Sequence, residues 1–250
     1  MRFSTNSAGG IATSLLYLLS PMLIRMMFDL IKNAMGLTFL AFTLLFSYLA
    51  LRYRKLSYSV LASLFIVLTG LTHILDFGVT YAVISFLLVF TIISNRKELK
   101  YLILPFAAST VILMLGFTYY SLMGGDPYKG IAFVEAMLKQ LQHPLVMLSS
   151  VSAAIYSLAI STAGILLVLM RKNFREVDCR FILSISLVLM LLNIPLIPQQ
   201  FFWRFNLMTV ILAPLIIGVV VGSINRIKLI LIITLVILGF VTPQFAEQFH

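Results

Sequence analysis

The sequence predicts an all-α fold, a polytopic transmembrane helix bundle of about nine spans (roughly eight to ten) with short interfacial helices. Three observations carry that expectation. Hydrophobic residues fill 61% of the 250 positions and charged residues only 10%, against roughly 25% charged in an ordinary soluble domain; mean hydropathy is +1.08. Several uncharged or nearly uncharged runs reach about 17–24 residues, the length with which a helix crosses about 30 Å of hydrocarbon. These runs are continuous rather than alternating, which selects helices over a barrel. Finally, twelve of the 18 Lys and Arg fall in four clusters: Arg52/Arg54/Lys55, Arg96/Lys97/Lys100, Arg171/Lys172/Arg175/Arg180 and Arg226/Lys228. The clusters occupy alternate gaps between apolar runs, as expected of loops held on the cytoplasmic side.

The first run, about 8–24, has Arg2 as its only preceding charge and no small-x-small cleavage signal. It is expected to stay as a membrane segment rather than be removed as a leader. In residues 21–33, Arg25, Asp29 and Lys32 share a helical face while Met26, Met27, Leu30 and Ile31 lie largely elsewhere. That pattern predicts a helix lying in the interface. The runs at about 34–51 and 57–74 are joined through the first basic cluster, and those at about 77–95 and 101–123 through the second. Gly124-Gly125-Asp126-Pro127 is a turn signal that opens a long loop, about 124–146. Within it, Glu135 and Lys139 form an i, i+4 pair, with Gln142 and His143 continuing that side of a second interfacial helix. The runs at about 147–170 and 181–197 flank the third cluster, and those at about 205–224 and 229–243 flank the fourth. With the clusters inside, the count yields a multi-pass plasma-membrane protein with a cytoplasmic N-terminus and an external C-terminus. No repeat or low-complexity linker divides the chain, so residues 1–250 are read as a single membrane domain.

The net charge of +10 does not point to nucleic acid. It sits at helix ends, where the inside bias accounts for it, and no basic stripe is interleaved with aromatics. Membrane lipids are the expected partners, anionic inner-leaflet lipids in particular. A single cysteine, Cys179, makes neither an intrachain disulfide nor a zinc site. No Gly-rich phosphate loop, HExxH, CxxC or GxSxG occurs. Glu176 and Asp178 lie in a basic stretch and are read as tempering its charge rather than as a metal site; no metal-ligating set is expected.

The remaining polar residues concentrate on the opposite, external face. Thr72-His73 ends one run and Asp76 precedes the next. On a continuing helix His73 and Asp76 are i, i+3 neighbours, a pair suited to a phosphate oxygen or to proton transfer. Such residues near a membrane are functional candidates, although a local salt bridge at a helix end explains them equally well. In Pro198-Gln199-Gln200-Phe201-Phe202-Trp203-Arg204, the aromatics suit the interface belt and Arg204 offers a planar fork to phosphate. Arg25, Lys32 and Asp29 form a third group, and Glu135, Lys139 and His143 a fourth. Once the four clusters and Arg2 are set aside, the cations left are Arg25, Lys32, Lys129, Lys139 and Arg204. All five map to the external face, where the inside bias does not explain them. An anionic head on a lipid tail is the ligand class they fit.

Three stretches resemble multi-spanning glycosyltransferases of the GT-C fold, especially archaeal relatives: Ser20-Pro21-Met22-Leu23-Ile24-Arg25-Met26-Met27-Phe28-Asp29-Leu30-Ile31-Lys32-Asn33, Leu71-Thr72-His73, and Phe202-Trp203-Arg204-Phe205-Asn206 running towards Pro214. The resemblance covers only the middle and C-terminal membrane portion of such proteins. It implies transfer of a sugar from a polyprenyl-phosphate donor at the external face, with His73, Arg204, Arg25 and Lys32 as phosphate-binding residues. Asp76 or Asp29 would be the base, and a divalent cation is left open as a cofactor. GT-C enzymes usually place an essential acidic residue in a large first external loop, and this sequence has no such loop. The resemblance therefore implies a fragment completed by an N-terminal half or partner subunit, or a non-catalytic remnant, and leaves enzymatic activity open. A transporter or flippase component and a structural subunit of a membrane complex are the alternative classes.

The topology is directly testable. In a Cys179→Ser background, Lys97→Cys and Lys129→Cys should react with a membrane-impermeant maleimide from opposite sides of the membrane; reaction from one side would overturn the count.

Overall fold

The computed structural model describes residues 7–18, 31–122, 151–171, 175–193 and 199–223; a few side chains within the helices, Lys32 and Arg204 among them, lie outside that description. Every regular element among the described residues is helical. In chain order the α-helices are α1 (Ser7–Leu18), α2 (Ile31–Tyr53), α3 (Leu56–Thr72), α4 (Ile74–Ser94), α5 (Lys100–Leu122), α6 (Val151–Arg171), α7 (Val177–Leu192) and α8 (Gln199–Ser223), with a 3-10 turn at Arg96–Glu98 between α4 and α5. Two stretches, Ala34–Tyr53 and Ile74–Ser94, are long and apolar enough to cross a membrane; five further apolar stretches among the described residues are shorter. The expected run at 229–243 and the loop at 124–146 lie outside the described residues.

The helix starts depart from the sequence expectation in instructive ways. Helix α2 begins at Ile31, so Lys32 and Asn33 belong to its first turn rather than to a separate interfacial piece. Helix α7 begins at Val177, so Asp178, Cys179 and Arg180 are helical and buried rather than part of a solvated basic loop. Helix α8 begins at Gln199, so Trp203 and Arg204 lie inside it rather than before it. Charge near a span end marks an approximate boundary, because a helix can start a turn before the apolar run does.

Many hydroxyl groups are satisfied within the apolar helices. Those of Thr69, Thr72, Thr80, Ser85, Thr110 and Ser184 each donate to the carbonyl four residues back, the bond by which Ser and Thr hide a donor inside a helix. Pro105 and Pro214 sit inside α5 and α8 without ending them. Pro105 has no N–H, which frees the carbonyl of Tyr101 four residues earlier. The Ser59 hydroxyl of α3 donates to that carbonyl at 2.8 Å, so the break in one helix becomes a bond to its neighbour.

Packing follows from these surfaces. Phe42, Phe46 and Phe65 stack at 4.9–5.4 Å between α2 and α3, and Tyr58 continues the ladder against Phe46 at 6.3 Å; the two-residue link Arg54–Lys55 makes these helices antiparallel. Ser59 meets Tyr101 and Gly70 faces Ile112, so α3 and α5 run in the same direction. One buried cluster, including Leu40, Leu44, Leu87, Leu102, Leu189 and Leu212, joins α2, α4, α5, α7 and α8. Helices α1 and α8 cross backbone to backbone. A Cβ on Gly9 would overlap the Gly218 carbonyl oxygen and come within 3.0 Å of Gly222 Cα, the close approach that small residues four apart permit.

Polar groups collect at the two ends of the bundle. Arg180 has 0% exposure. Its guanidinium donates to Glu98 Oε2 at 2.5 Å and to Thr91 Oγ1 at 3.0 Å. Glu98 Oε1 accepts from Arg54 at 3.0 Å. Nearby, the Tyr48 hydroxyl donates to Asp178 at 2.8 Å. Parts of three basic clusters thus share one end, as their alternate spacing expects; the fourth cluster lies outside the described residues. Arg54 has φ 55, a left-handed conformation that costs a non-glycine residue roughly 1–2 kcal/mol.

Removing one partner of a buried ion pair leaves the other charge stranded, at a cost of about 3–5 kcal/mol. Glu98→Ala should lower stability by about that amount in detergent unfolding, whereas Arg54→Gly should cost under about 1 kcal/mol, because that side chain is exposed and glycine relaxes the turn.

Candidate functional site

His73 is the only residue between α3 and α4. Its extended backbone, φ −153 and ψ 117, ends one helix and opens the next. Its N–H donates to Thr69 O at 2.9 Å, and its carbonyl accepts from Phe77 N–H at 3.1 Å. The junction is made by a single residue, so the His73 ring is carried by two helices at once. Asp76 follows in the first turn of α4, where the exposed N–H groups and the helix dipole favour a carboxylate.

The two side chains meet with His73 Nδ1 3.0 Å from Asp76 Oδ2. Asp76 has 0% exposure and the His73 side chain 19%. The distance is that of an ion pair, but the approach is not aligned as a hydrogen bond. Nδ1 and both carboxylate oxygens have no hydrogen-bond partner among the described residues. Since Nδ1 is buried, the exposed part of the imidazole is the rest of the ring. Leu71 and Ile74, on either side, are 75% and 66% exposed, so a polar ring sits in an apolar rim.

Gly36 of α2 completes the site. A Cβ there would overlap Asp76 Oδ2 and stand 2.9 Å from His73 Cβ. The absent side chain is what lets α2 close over the pair. Gly36 lies in α2 and Arg54 directly follows the helix's last residue, Tyr53, 17 residues on from Gly36, so this site and the Glu98–Arg180 cluster are separated by about 26 Å along the helix at 1.5 Å per residue.

The structure gathers some of the expected site residues and not others. His73 and Asp76 are together. Lys32 lies one turn before Gly36 on α2, at the same end of the bundle. Ile211 and Pro214 of α8 line a cleft with Ala41 and Leu44 of α2, and Leu215 and Gly218 line one with Tyr48. Helices α2 and α8 therefore run in the same direction, and Arg204 falls at the His73 end. Arg25 and Asp29 lie outside the described residues, as do Glu135, Lys139 and His143. Among the described residues, no three His, Cys, Asp or Glu side chains come together as a metal site. Two features were not legible from spacing. Gly36 reads as an ordinary small residue, and Glu98, within Arg-Lys-Glu-Leu-Lys, reads as part of a solvated loop. A buried acidic residue shows itself only through the cations it neutralises.

No protein-family model matches the chain, and neither curated proteins nor solved structures supply a match.

The seat of the pair can be tested by contrast. Gly36→Ala should destabilise by about 1–3 kcal/mol through overpacking, while Gly10→Ala, where a Cβ meets nothing within 4 Å, should be neutral or stabilising by up to about 1 kcal/mol. Equal thermal shifts for the two variants in detergent would refute the assigned role of Gly36.

Proposed function

We propose that the chain is a multi-pass membrane protein of about nine spans, a GT-C-like module that holds a polyprenyl-phosphate-linked sugar at the His73 end of the bundle. Two observations support the membrane reading. In the described helices, residues 37–51, 56–72, 77–94, 101–122, 151–170, 181–192 and 205–223 contain no Asp, Glu, Lys or Arg, so charge is confined to the two ends. Large apolar side chains also face outward on several helices, among them Leu64 at 52%, Ile93 at 77% and Met170 at 79% exposure. A water-facing helix carries a polar stripe at such positions. With the basic end cytoplasmic, the His73 end is external.

The observation that carries the ligand assignment is the fully buried Asp76 carboxylate behind a partly exposed His73. The carboxylate is shut off from the surface, so it acts through the imidazole. It holds the Nδ1 edge and leaves Nε2 as the nitrogen that meets a ligand. With both ring nitrogens protonated, Nε2–H donates to a phosphate oxygen while Asp76 balances the charge from behind. The exposed Leu71 and Ile74 suit the first isoprene units of a lipid tail. Lys32 and Arg204 belong to helices whose starts lie at this end and are the further cations we assign to a diphosphate or phosphate. In this reading Asp76 is a positioning residue, and glycosyl transfer draws its acidic residue from another segment or from a partner subunit. An ion-coupled transporter is the weaker reading, because such proteins place ionisable groups near the midplane, and the described helices have none there.

The test is binding of a short-chain polyprenyl phosphate to the purified full-length protein. His73→Ala should weaken binding about ten-fold or more, the loss expected for a charge-assisted hydrogen bond, and Asp76→Asn should weaken it by a smaller factor. Arg175→Gln, at the opposite end, should leave it unchanged. Unaltered affinity in His73→Ala would overturn the assignment.

A further inference from the structure

A second feature is lined by none of the residues of the His73 site. Helices α1, α2, α7 and α8 enclose two adjoining hollows, each of about 270 Å³, which share Thr13, Ser14, Phe181 and Leu215. They join into one trough along α2, from Ala41 and Leu44 in the second hollow to Tyr48 in the first. From Ala41 to Tyr48 the helix advances about 10 Å. Gly10 and Ser14 of α1 are exposed along it, so the trough is open on one side.

The lining says what kind of molecule fits. Most of it is aliphatic or aromatic. Of its polar side chains, the Thr13 hydroxyl donates to Gly9 O at 3.0 Å and reaches Pro214 O at 3.3 Å and the Tyr48 hydroxyl is held by Asp178, which leaves the hydroxyls of Ser14 and Tyr17 as the polar side-chain groups the lining offers. A hydrogen-bonding solute finds little in the trough itself, whereas a hydrocarbon chain finds apolar walls.

The surroundings say what kind of head group goes with the chain. Tyr48 is at the basic end of the bundle. Arg52 follows it by one turn on the same face of α2 and is exposed, as are Arg54, Lys55, Arg96, Lys97 and Arg175. Of the acidic groups at this end, Glu98 binds Arg54 and Arg180 and Asp178 accepts from Tyr48, while Glu176 is exposed and is outnumbered by the exposed cations. The mouth of the trough nearest Arg52 is therefore positive.

We infer that this trough seats one acyl chain of an anionic phospholipid, with its phosphate at Arg52. The site shares no residue with the His73 site, has its phosphate end at the opposite end of the bundle, and takes a structural lipid rather than a reactant. Bound there, the chain would fill the space between α1 and the α2–α7 pair, which the glycine crossing of α1 on α8 leaves open.

The experiment uses the full-length protein in nanodiscs of phosphatidylcholine and phosphatidylglycerol at equal mole fraction, followed by extraction into mild detergent and quantification of the retained lipid by mass spectrometry. The wild type should retain phosphatidylglycerol over phosphatidylcholine by about five-fold or more, the preference expected from one well-placed cation near an anionic head group. Arg52→Gln should reduce that ratio to near unity, and Ser14→Phe, which blocks the open side, should lower the retained amount of both lipids. Equal retention of the two lipids by the wild type, or an unchanged ratio in Arg52→Gln, would overturn the proposal. Arg52 is a surface residue outside the lining, so that variant decides the matter even if Ser14→Phe fails to fold.

Discussion

A guanidinium with no access to water needs a counter-charge inside the protein, and the rest of the bundle is arranged around meeting that need. Arg180 lies in the first turn of α7, Glu98 in the link between α4 and α5, Thr91 in the last turn of α4, and Arg54 directly after α2. One carboxylate and one hydroxyl therefore fix the ends of four helices in register. The energetic logic is one-sided. A buried pair contributes little beyond an apolar replacement of the same shape, but separating its members is costly. Such a cluster acts less as a source of stability than as a condition on assembly, since arrangements that pull α7 away from the α4–α5 link strand a charge in an apolar interior.

The opposite end is built on a different principle. Among the described residues, nothing there ties the helices together by charge pairing across several elements. Instead α2 approaches α4 closely because Gly36 has no side chain, and the approach covers a carboxylate that has no aligned hydrogen-bond donor among the described residues. Where the carboxylate of the basic end, Glu98, is bonded by two guanidinium groups, the carboxylate of this end is held without an aligned donor. Other buried polar atoms among the described residues also lack a partner, but Asp76 is the carboxylate with both oxygens so placed, and it stands beside a partly exposed imidazole.

Between the ends, cohesion comes from shape. Aromatic stacking joins α2 to α3, leucine-rich packing joins α2 to α4, α5, α7 and α8, and glycine contact joins α1 to α8. Many hydroxyls turn back onto their own helices, and the carbonyl freed by Pro105 is taken up by Ser59. Each device keeps polar backbone and side-chain groups away from a surface that is itself apolar, and that surface leaves a trough beside α1 open to hydrocarbon.

The helical class, the approximate positions of the helices and the common end of the basic loops were legible in the sequence, because composition and charge spacing act locally and in one dimension. The pairing of His73 with Asp76 was legible as well, since three residues of separation bring two side chains together even though the helix breaks at His73. Other features were not. Arg180 and Asp178 read as members of a solvated loop, and Glu98 as an unremarkable neighbour of lysines, because burial is a property of what other helices bring to a residue. The role of Gly36 depends on Asp76, forty positions later. By itself the sequence determined which segments are apolar helices and where charge is tolerated, since both follow from the cost of placing polar groups in an apolar medium. Tertiary structure alone decided which charges meet, which carboxylate is shielded and which glycine permits it, because those outcomes require contact between residues far apart in the chain.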